Sequence, residues 1–395
     1  MTLKVEPGFL ATPVSLPASK SHANRFLILA ARRTQPTVVR GLPVSDDVQF
    51  VLKALRLIGL EIVGETDVSF RNSFPACEKS DTSDVILDVG EGGTTARFLA
   101  ALVSGGKRRY VLRTSGRLAQ RPWSELVEAL SSAGARVEWL GADLCIQGPV
   151  DVSRLPKEIS AARSTQFASA LRLAFAIDGY HVTPTMLSSS RPYWDMTEES
   201  VAAIEAGSVS VPLDWSSAAY PLVFAAVANQ SIVLPGLLPD GQADRAIYDL
   251  LASRGAAKFL VDGIHGRGLE NRRPIQMSVL SCPDLVPALA FLAAHLQGVS
   301  EFSGVDILRH KESDRLAAVM SLLKQCGVAV EHDAKEDVLK VTGGTQEGPW
   351  DLEVPPDHRL VMTAALFLRA HNGGRLPHPE AVRKSFPNFF DLFKA

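Results

Sequence analysis

Lys20, Ser21 and Arg25 stand close together in the run Pro17-Ala18-Ser19-Lys20-Ser21-His22-Ala23-Asn24-Arg25, directly ahead of the apolar segment FLILAA. A helix that begins here has free N–H groups and the positive end of its dipole in one place, which suits an anion. The three side chains would strengthen a phosphate or carboxylate site. The glycines of GxxxxGK[ST] are missing, so this is not a Walker A loop. A second run, Gly90-Glu91-Gly92-Gly93-Thr94-Thr95-Ala96-Arg97, follows a strand-like segment and opens another helix. Its glycines let backbone N–H groups approach a ligand closely. It lacks the third glycine of a GxGxxG dinucleotide loop.

Further clusters repeat the theme. Arg121-Pro122 reads as a helix start with proline at the first position. Arg163-Ser164-Thr165-Gln166-Phe167 places three hydrogen-bonding side chains before an apolar helix, and Ser190-Arg191-Pro192-Tyr193-Trp194-Asp195 follows. The second half adds Asp284, the charge-dense His310-Lys311-Glu312-Ser313-Asp314-Arg315, then Asp357-His358-Arg359 and Lys384-Ser385-Phe386-Pro387. Singly, each has an ordinary reading as a solvated charge run, a helix cap or a loop. Jointly they are less ordinary, because cations recur beside hydroxyls at helix starts in a chain of 41 basic and 43 acidic residues. Helix N-termini and cations drawn from both halves describe a site for a small, multiply anionic molecule. Asp284 and Glu312 would supply acid and base groups there.

The elements that must position these residues follow one pattern. In 51–63, 125–140, 246–261 and 316–332 a leucine-rich helical period ends at Gly59, Gly134, Gly255 or Gly327, and a strand-like run begins. Glycine supplies the left-handed residue that stops a helix. Leucines three and four apart give each helix a buried face. The glycines are 75 residues apart in the first pair and 72 in the second, which predicts a duplicated α/β architecture. Further strands are expected at 85–89, 110–113, 275–280 and 338–341. Further helices are expected at 23–31, 94–103, 164–176, 216–228 and 358–370. The least structured zone is 204–215.

With 395 residues, 46% hydrophobic and 21% charged, the chain has material for two domains and is not broadly disordered. Its net charge of −2 gives no basic surface for nucleic acid. Cys77, Cys145, Cys282 and Cys326 form no CxxC pair and read as reduced, buried thiols. The start of the sequence shows no signal or transit pattern, and the apolar runs at 221–228 and 286–296 are too short to span a bilayer. The expectation is a soluble cytoplasmic protein.

The ordered motifs PASKSHANR, GEGGTTAR, QRP, STQF, SRPYWDMT, DWSSAAYPL, KESDR, DHRLVMTAAL and KSFPNFF resemble the 5-enolpyruvylshikimate-3-phosphate synthase (3-phosphoshikimate 1-carboxyvinyltransferase) family over nearly the whole chain. The resemblance implies two similar domains of repeated βαβαββ units, an inside-out α/β barrel, with residues 17–213 in one and 1–16 plus 214–395 in the other. It implies transfer of the enolpyruvyl group of phosphoenolpyruvate to the 5-hydroxyl of shikimate 3-phosphate, in the shikimate pathway of aromatic amino-acid biosynthesis. Lys20, Gly93, Arg121, Gln166 and Lys384 then match positions that hold the phosphate of phosphoenolpyruvate, and Arg315 and Arg359 those that clamp its carboxylate. Ser21, Arg25, Ser164, Thr165, Gln166, Ser190, Tyr193, Asp284 and Lys311 match the shikimate 3-phosphate site. Asp284, Glu312 and Lys20 match catalytic positions. The family needs no metal or organic cofactor, and a monomer with small-molecule substrates, no nucleic acid and no membrane is implied.

Two positions depart from the family pattern: Glu91 stands where asparagine is usual, and Ile307 where a polar asparagine is frequent. A carboxylate about 4 Å from an incoming anion costs roughly 1 kcal/mol in water and about 4 kcal/mol at an effective dielectric of 20. The alternative these changes leave is a slow or non-catalytic paralogue that binds anionic metabolites. The sister family acting on UDP-N-acetylglucosamine carries a reactive cysteine ahead of its Arg-Pro. The loop Ser115-Gly116-Arg117-Leu118-Ala119-Gln120 has none.

Overall fold

A computed structural model describes residues 2–80, 83–187 and 190–394. The chain forms two compact units, Ala18–Pro212 and Met1–Pro17 together with Leu213–Ala395.

The unit Ala18–Pro212 contains helices α1 (Lys20–Arg32), α2 (Asp46–Leu57), α3 (Gly93–Val103), α4 (Ser124–Ser132), α5 (Gln166–Phe175) and α6 (Arg191–Ala203). Helices α1, α3 and α5 pack on one another and are buried along nearly their full length. They form the interior of the unit although α1 and α5 bury polar side chains too, among them Asn24, Arg25, Ser169 and Arg172. The four-stranded sheet orders its strands Val85–Gly90, Arg109–Thr114, Asp143–Gln147, Arg136–Leu140. Its first pair is parallel and the other two are antiparallel.

The other unit repeats the plan with α7 (Trp215–Ala228), α8 (Ala246–Ala252), α9 (Val286–Ala294), α10 (Arg315–Gln325) and α11 (His358–Ala370). Here α7, α9 and α11 form the interior set, and all nine residues of α9 are buried. Its four-stranded sheet runs Gln276–Ser278, Val299–Ser303, Val338–Thr342, Ala329–Asp333. The same parallel, antiparallel, antiparallel pairing recurs, and in chain order both sheets read βαβαββ. The glycines predicted to stop four helices do so, with φ of 109° at Gly59, 102° at Gly134, 70° at Gly255 and 73° at Gly327.

Three expectations need correction. Segment 204–215 is not irregular throughout: Ser208–Ser210 is a strand, parallel to Thr37–Arg40. Ser-Val-Ser alternates in type, with Val209 buried between two less buried serines, but three residues are too short a run to be told from a loop without the partner strand. Pro122 is not the first residue of a helix, because α4 begins at Ser124 with Trp123 as its N-cap. Arg121 is extended (ψ 161°), the conformation a following proline favours. Cys77 is half-buried, whereas Cys145, Cys282 and Cys326 are buried, and all four are free thiols. No helix among the described residues is long and apolar enough to cross a membrane.

Candidate active site

In the unit Ala18–Pro212 the predicted phosphate residues gather where α1, α2, α3 and α5 begin. Lys20 opens α1, and its Nζ lies 2.8 Å from Asp47 Oδ2 in the first turn of α2. Asp47 in turn abuts Gly92, where a Cβ would sit 2.9 Å from Asp47 Oδ1. A Cβ on Gly93 would sit 2.8 Å from Arg97 Nη1 and 2.9 Å from Arg121 Nη2. Glycine at 93 therefore leaves the first N–H groups of α3 open beside two guanidinium groups. Gln166 opens α5; its Nε2 donates to Thr94 Oγ1 (3.0 Å), and its Oε1 accepts from Arg97 Nη1. Several helix N-termini with Lys20, Arg97 and Arg121 give this end a concentrated positive potential.

Arg25 ties a second group together. It is 2% exposed, and it donates to Ser21 O (2.9 Å), Thr197 Oγ1 (2.9 Å) and Tyr193 O (2.8 Å). It thus fastens α1 to α6, and burial brings its pKa down to about 10. Ser164 Oγ accepts from Gln166 N (3.2 Å), which fixes the turn into α5, and Thr165 is buried beside it. Ser190 caps α6 with φ 61°, a left-handed conformation uncommon for serine. Glu91 packs its carboxylate against Gly116.

In the other unit the six predicted residues form one charged network. Asp284 Oδ1 lies 2.8 Å from Arg315 Nη1 and 3.2 Å from Lys311 Nζ, and Oδ2 lies 3.1 Å from Arg359 Nη2. Arg359 Nη1 also donates to the Asp284 carbonyl (3.1 Å). Glu312 pairs with Arg315 Nη2 at 2.8 Å and with Lys384 Nζ at 3.5 Å. Burial alone would raise the Asp284 pKa; the Arg359, Lys311 and Arg315 charges outweigh it and hold the carboxyl well below the usual range. The same arithmetic runs in reverse for Arg315: burial pulls its pKa down, but Asp357, Glu312 and Asp284 raise it above the ordinary value.

Three supporting residues have no assigned role in the sequence reading. Asp47 holds Lys20, and Arg97 holds Gln166. Asp357 receives Arg315 Nε at 3.0 Å and Ser313 Oγ at 3.0 Å while capping the Arg359 N–H at 3.0 Å. Arg97 also lies over the Trp123 and Phe167 rings, 5.4 and 5.1 Å from their centroids. Only an acid following another acid in the first turn of α2, and the acid before His358-Arg359, were visible signals for two of them.

A set of cations partly neutralised by carboxylates, at the mouths of buried helices, suits a ligand with phosphate and carboxylate groups. The sequence model of EPSP synthase (3-phosphoshikimate 1-carboxyvinyltransferase) matches residues 6–207 and 200–393. The chain belongs to this family. Similar EPSP synthases include the 3-phosphoshikimate 1-carboxyvinyltransferase of Syntrophobacter fumaroxidans, 31% identical over 100% of this chain and 99% of that protein. That of Methanococcoides burtonii is 30% identical over 96% and 94%. A solved EPSP synthase from Acinetobacter baumannii has a TM-score of 0.74 at 24% identity, covering 100% of this chain and 97% of that one. The enolpyruvyl transferase NikO from Streptomyces tendae reaches 0.73 at 16% identity, with 100% and 97% covered. These two structures share the fold of repeated units.

Proposed function

We propose that the chain transfers the enolpyruvyl group of phosphoenolpyruvate to the 5-hydroxyl of shikimate 3-phosphate and releases phosphate. The single observation that carries this reading is the Asp284 carboxylate set among Lys311, Arg315 and Arg359, with Glu312 on the same arginine.

In this reading Arg315 and Arg359 exchange Asp284 for the carboxylate of phosphoenolpyruvate. The depressed pKa keeps Asp284 ionised before substrate arrives, and loss of its cationic partners raises its basicity at the moment a base is needed. Asp284 takes the proton of the 5-hydroxyl as its oxygen bonds to the central carbon of the double bond. Glu312, in its acid form, gives a proton to the methylene carbon. The carbon–oxygen bond to phosphate then breaks as the proton held by Asp284 passes to the leaving phosphate, and the methyl carbon returns its proton to Glu312 as the double bond re-forms. Lys20, Arg121, Gln166, Lys384 and the Gly93 N–H carry the phosphate charge as it leaves. Ser21, Arg25, Ser164, Thr165, Gln166, Ser190, Tyr193 and Lys311 hold shikimate 3-phosphate. Arg25, already spent on three protein acceptors, serves it as much by shaping the site as by contact. The working unit proposed is a cytoplasmic monomer.

Phosphate release from phosphoenolpyruvate tests the reading. Release should require shikimate 3-phosphate, and Asp284→Asn should lower kcat about 10²- to 10⁴-fold with shikimate 3-phosphate still bound. Binding of both substrates by the unaltered chain with no release would overturn it in favour of a metabolite-binding paralogue.

A further inference from the structure

A second group of ligand-type atoms lies outside the ion-pair network of the acid–base residues just described. Asp306 opens a 3-10 turn (Asp306–His310), His332 lies on the strand Ala329–Asp333, and Asp337 sits in the hairpin turn that follows. One ligating atom from each lies within 4.8 Å of the others. His332 Nε2 is 3.8 Å from Asp306 Oδ1 and 3.8 Å from Asp337 Oδ1. Its ring is 8% exposed, and the buried Nε2 has no hydrogen-bond partner. An imidazole nitrogen aimed between two carboxylates, too distant to bond either, is costly in an interior unless something fills the gap.

The carboxylates are set from behind. Asp337 Oδ1 accepts the N–H groups of Val305 (3.0 Å) and Asp306 (2.8 Å). Asp337 itself holds φ at 51°, a left-handed conformation that aspartate tolerates at modest cost. Such outer bonds orient a ligating carboxylate.

We propose that Asp306, His332 and Asp337 form a binding site for one divalent metal ion of the zinc class. One imidazole nitrogen and two carboxylate oxygens are the donor set that such ions take, with a further position for water. Zinc bonds of about 2.0–2.2 Å place tetrahedral donors about 3.4 Å apart. The two histidine–carboxylate pairs, each 3.8 Å apart, need to close by only a few tenths of an ångström, the two carboxylates, within 4.8 Å of each other, by up to about 1.4 Å, and the half-exposed Asp306 side chain has freedom to move.

Arg309 is the ion's competitor. Its Nε donates to Asp306 Oδ1 (3.1 Å), and its Nη2 lies 3.4 Å from His332 Nδ1. A guanidinium only donates, so this contact needs a bare Nδ1 and puts the ring proton on Nε2. A metal on Nε2 needs the opposite tautomer. Ion and arginine therefore exclude each other, and Arg309 has a second partner to turn to, Asp314 Oδ2 at 3.6 Å from Nη1. The turn that begins at Asp306 runs directly into Lys311 and Glu312, so occupancy bears on the segment that carries them.

Calorimetric titration of the full chain with Zn²⁺, repeated with Co²⁺ by visible absorption, tests the site. One equivalent should bind, with a cobalt spectrum that reports imidazole ligation. Asp306→Asn, a surface change that spares the fold, and His332→Gln should each weaken binding about tenfold or more. Arg309→Gln should tighten it by a similar factor, which a merely structural role for these residues would not produce. His371→Phe, at a separate histidine pair where His371 Nε2 meets His295 Nε2 at 2.9 Å, should leave it unchanged. No binding by the unaltered chain, or affinity indifferent to Asp306→Asn and His332→Gln, or no tightening in Arg309→Gln, would overturn the proposal.

Discussion

Arg315 Nη1 lies 2.8 Å from Asp284 Oδ1, and the same guanidinium reaches Asp357 through Nε at 3.0 Å and Glu312 through Nη2 at 2.8 Å. One buried arginine thus organises the carboxylate read as the base, the one read as the acid, and a third that does no chemistry. In the proposed reaction Asp357 is the partner that stays when phosphoenolpyruvate displaces Asp284. Asp357→Asn removes one of three carboxylates from the buried Arg315 and leaves its Nε facing a neutral amide. Breaking such a pair costs about 3–5 kcal/mol, measurable by urea unfolding. The Michaelis constant for phosphoenolpyruvate should rise at least about tenfold. An unchanged constant would mean that Arg315 is held by packing alone.

Gly93 sits where a methyl group would press on Arg97 Nη1 and Arg121 Nη2. Arg97 is buried over the Trp123 and Phe167 rings, so Arg121 should yield first and Gly93→Ala should fold with a modest loss of stability. The displaced guanidinium groups should raise the Michaelis constant for phosphoenolpyruvate about tenfold, since a shift near 1 Å in a positioning group is costly. Affinity for shikimate 3-phosphate should move far less. Equal losses for both substrates would contradict the placing of Gly93 at the phosphate of phosphoenolpyruvate.

Glu91 keeps its carboxylate against Gly116. If that charge also acts on the incoming anion, Glu91→Asn should lower the Michaelis constant for phosphoenolpyruvate, most at low ionic strength, where screening is weakest. A constant indifferent to the change at every salt concentration would remove the repulsion.

His295 and His371 share one hydrogen bond, Nε2 to Nε2, at 2.9 Å. His295 Nδ1 donates to the Phe291 carbonyl (2.7 Å), so its Nε2 accepts from His371. Burial lowers the His295 pKa from 6.5 to about 4 and lowers that of His371 as well. The unfolded chain therefore takes up protons first as pH falls. Stability is full above about pH 6.5 and is lost progressively between there and about pH 4, by roughly 3 kcal/mol from His295 alone. Urea unfolding at pH 7.5 and pH 5 should show the fall, and His295→Phe should flatten it. An equal fall in the variant would assign the effect elsewhere.

Much of the fold was legible because its signals are local. The helix–glycine–strand runs at Gly59, Gly134, Gly255 and Gly327 depend on residues within a few turns of each other, and each was found in place. Local proximity also misled: Arg121-Pro122 looked like a helix start, yet the proline extends Arg121 and the helix waits for Ser124. Ser208–Ser210 alternates in type but is too short for the alternation to decide, and its pairing with Thr37–Arg40 is what makes it a strand.

The sequence by itself determined where helices with a buried face end and which polar residues stand at their N-termini, since both follow from side-chain type and period. Only the tertiary structure decided which charges meet. Lys20 and Asp47 are 27 residues apart, Arg97 and Gln166 69, and Arg315 and Asp357 42. No local rule links such pairs. Burying three helices side by side in each unit brings their ends together, and the carboxylates that neutralise the gathered cations are chosen by that packing.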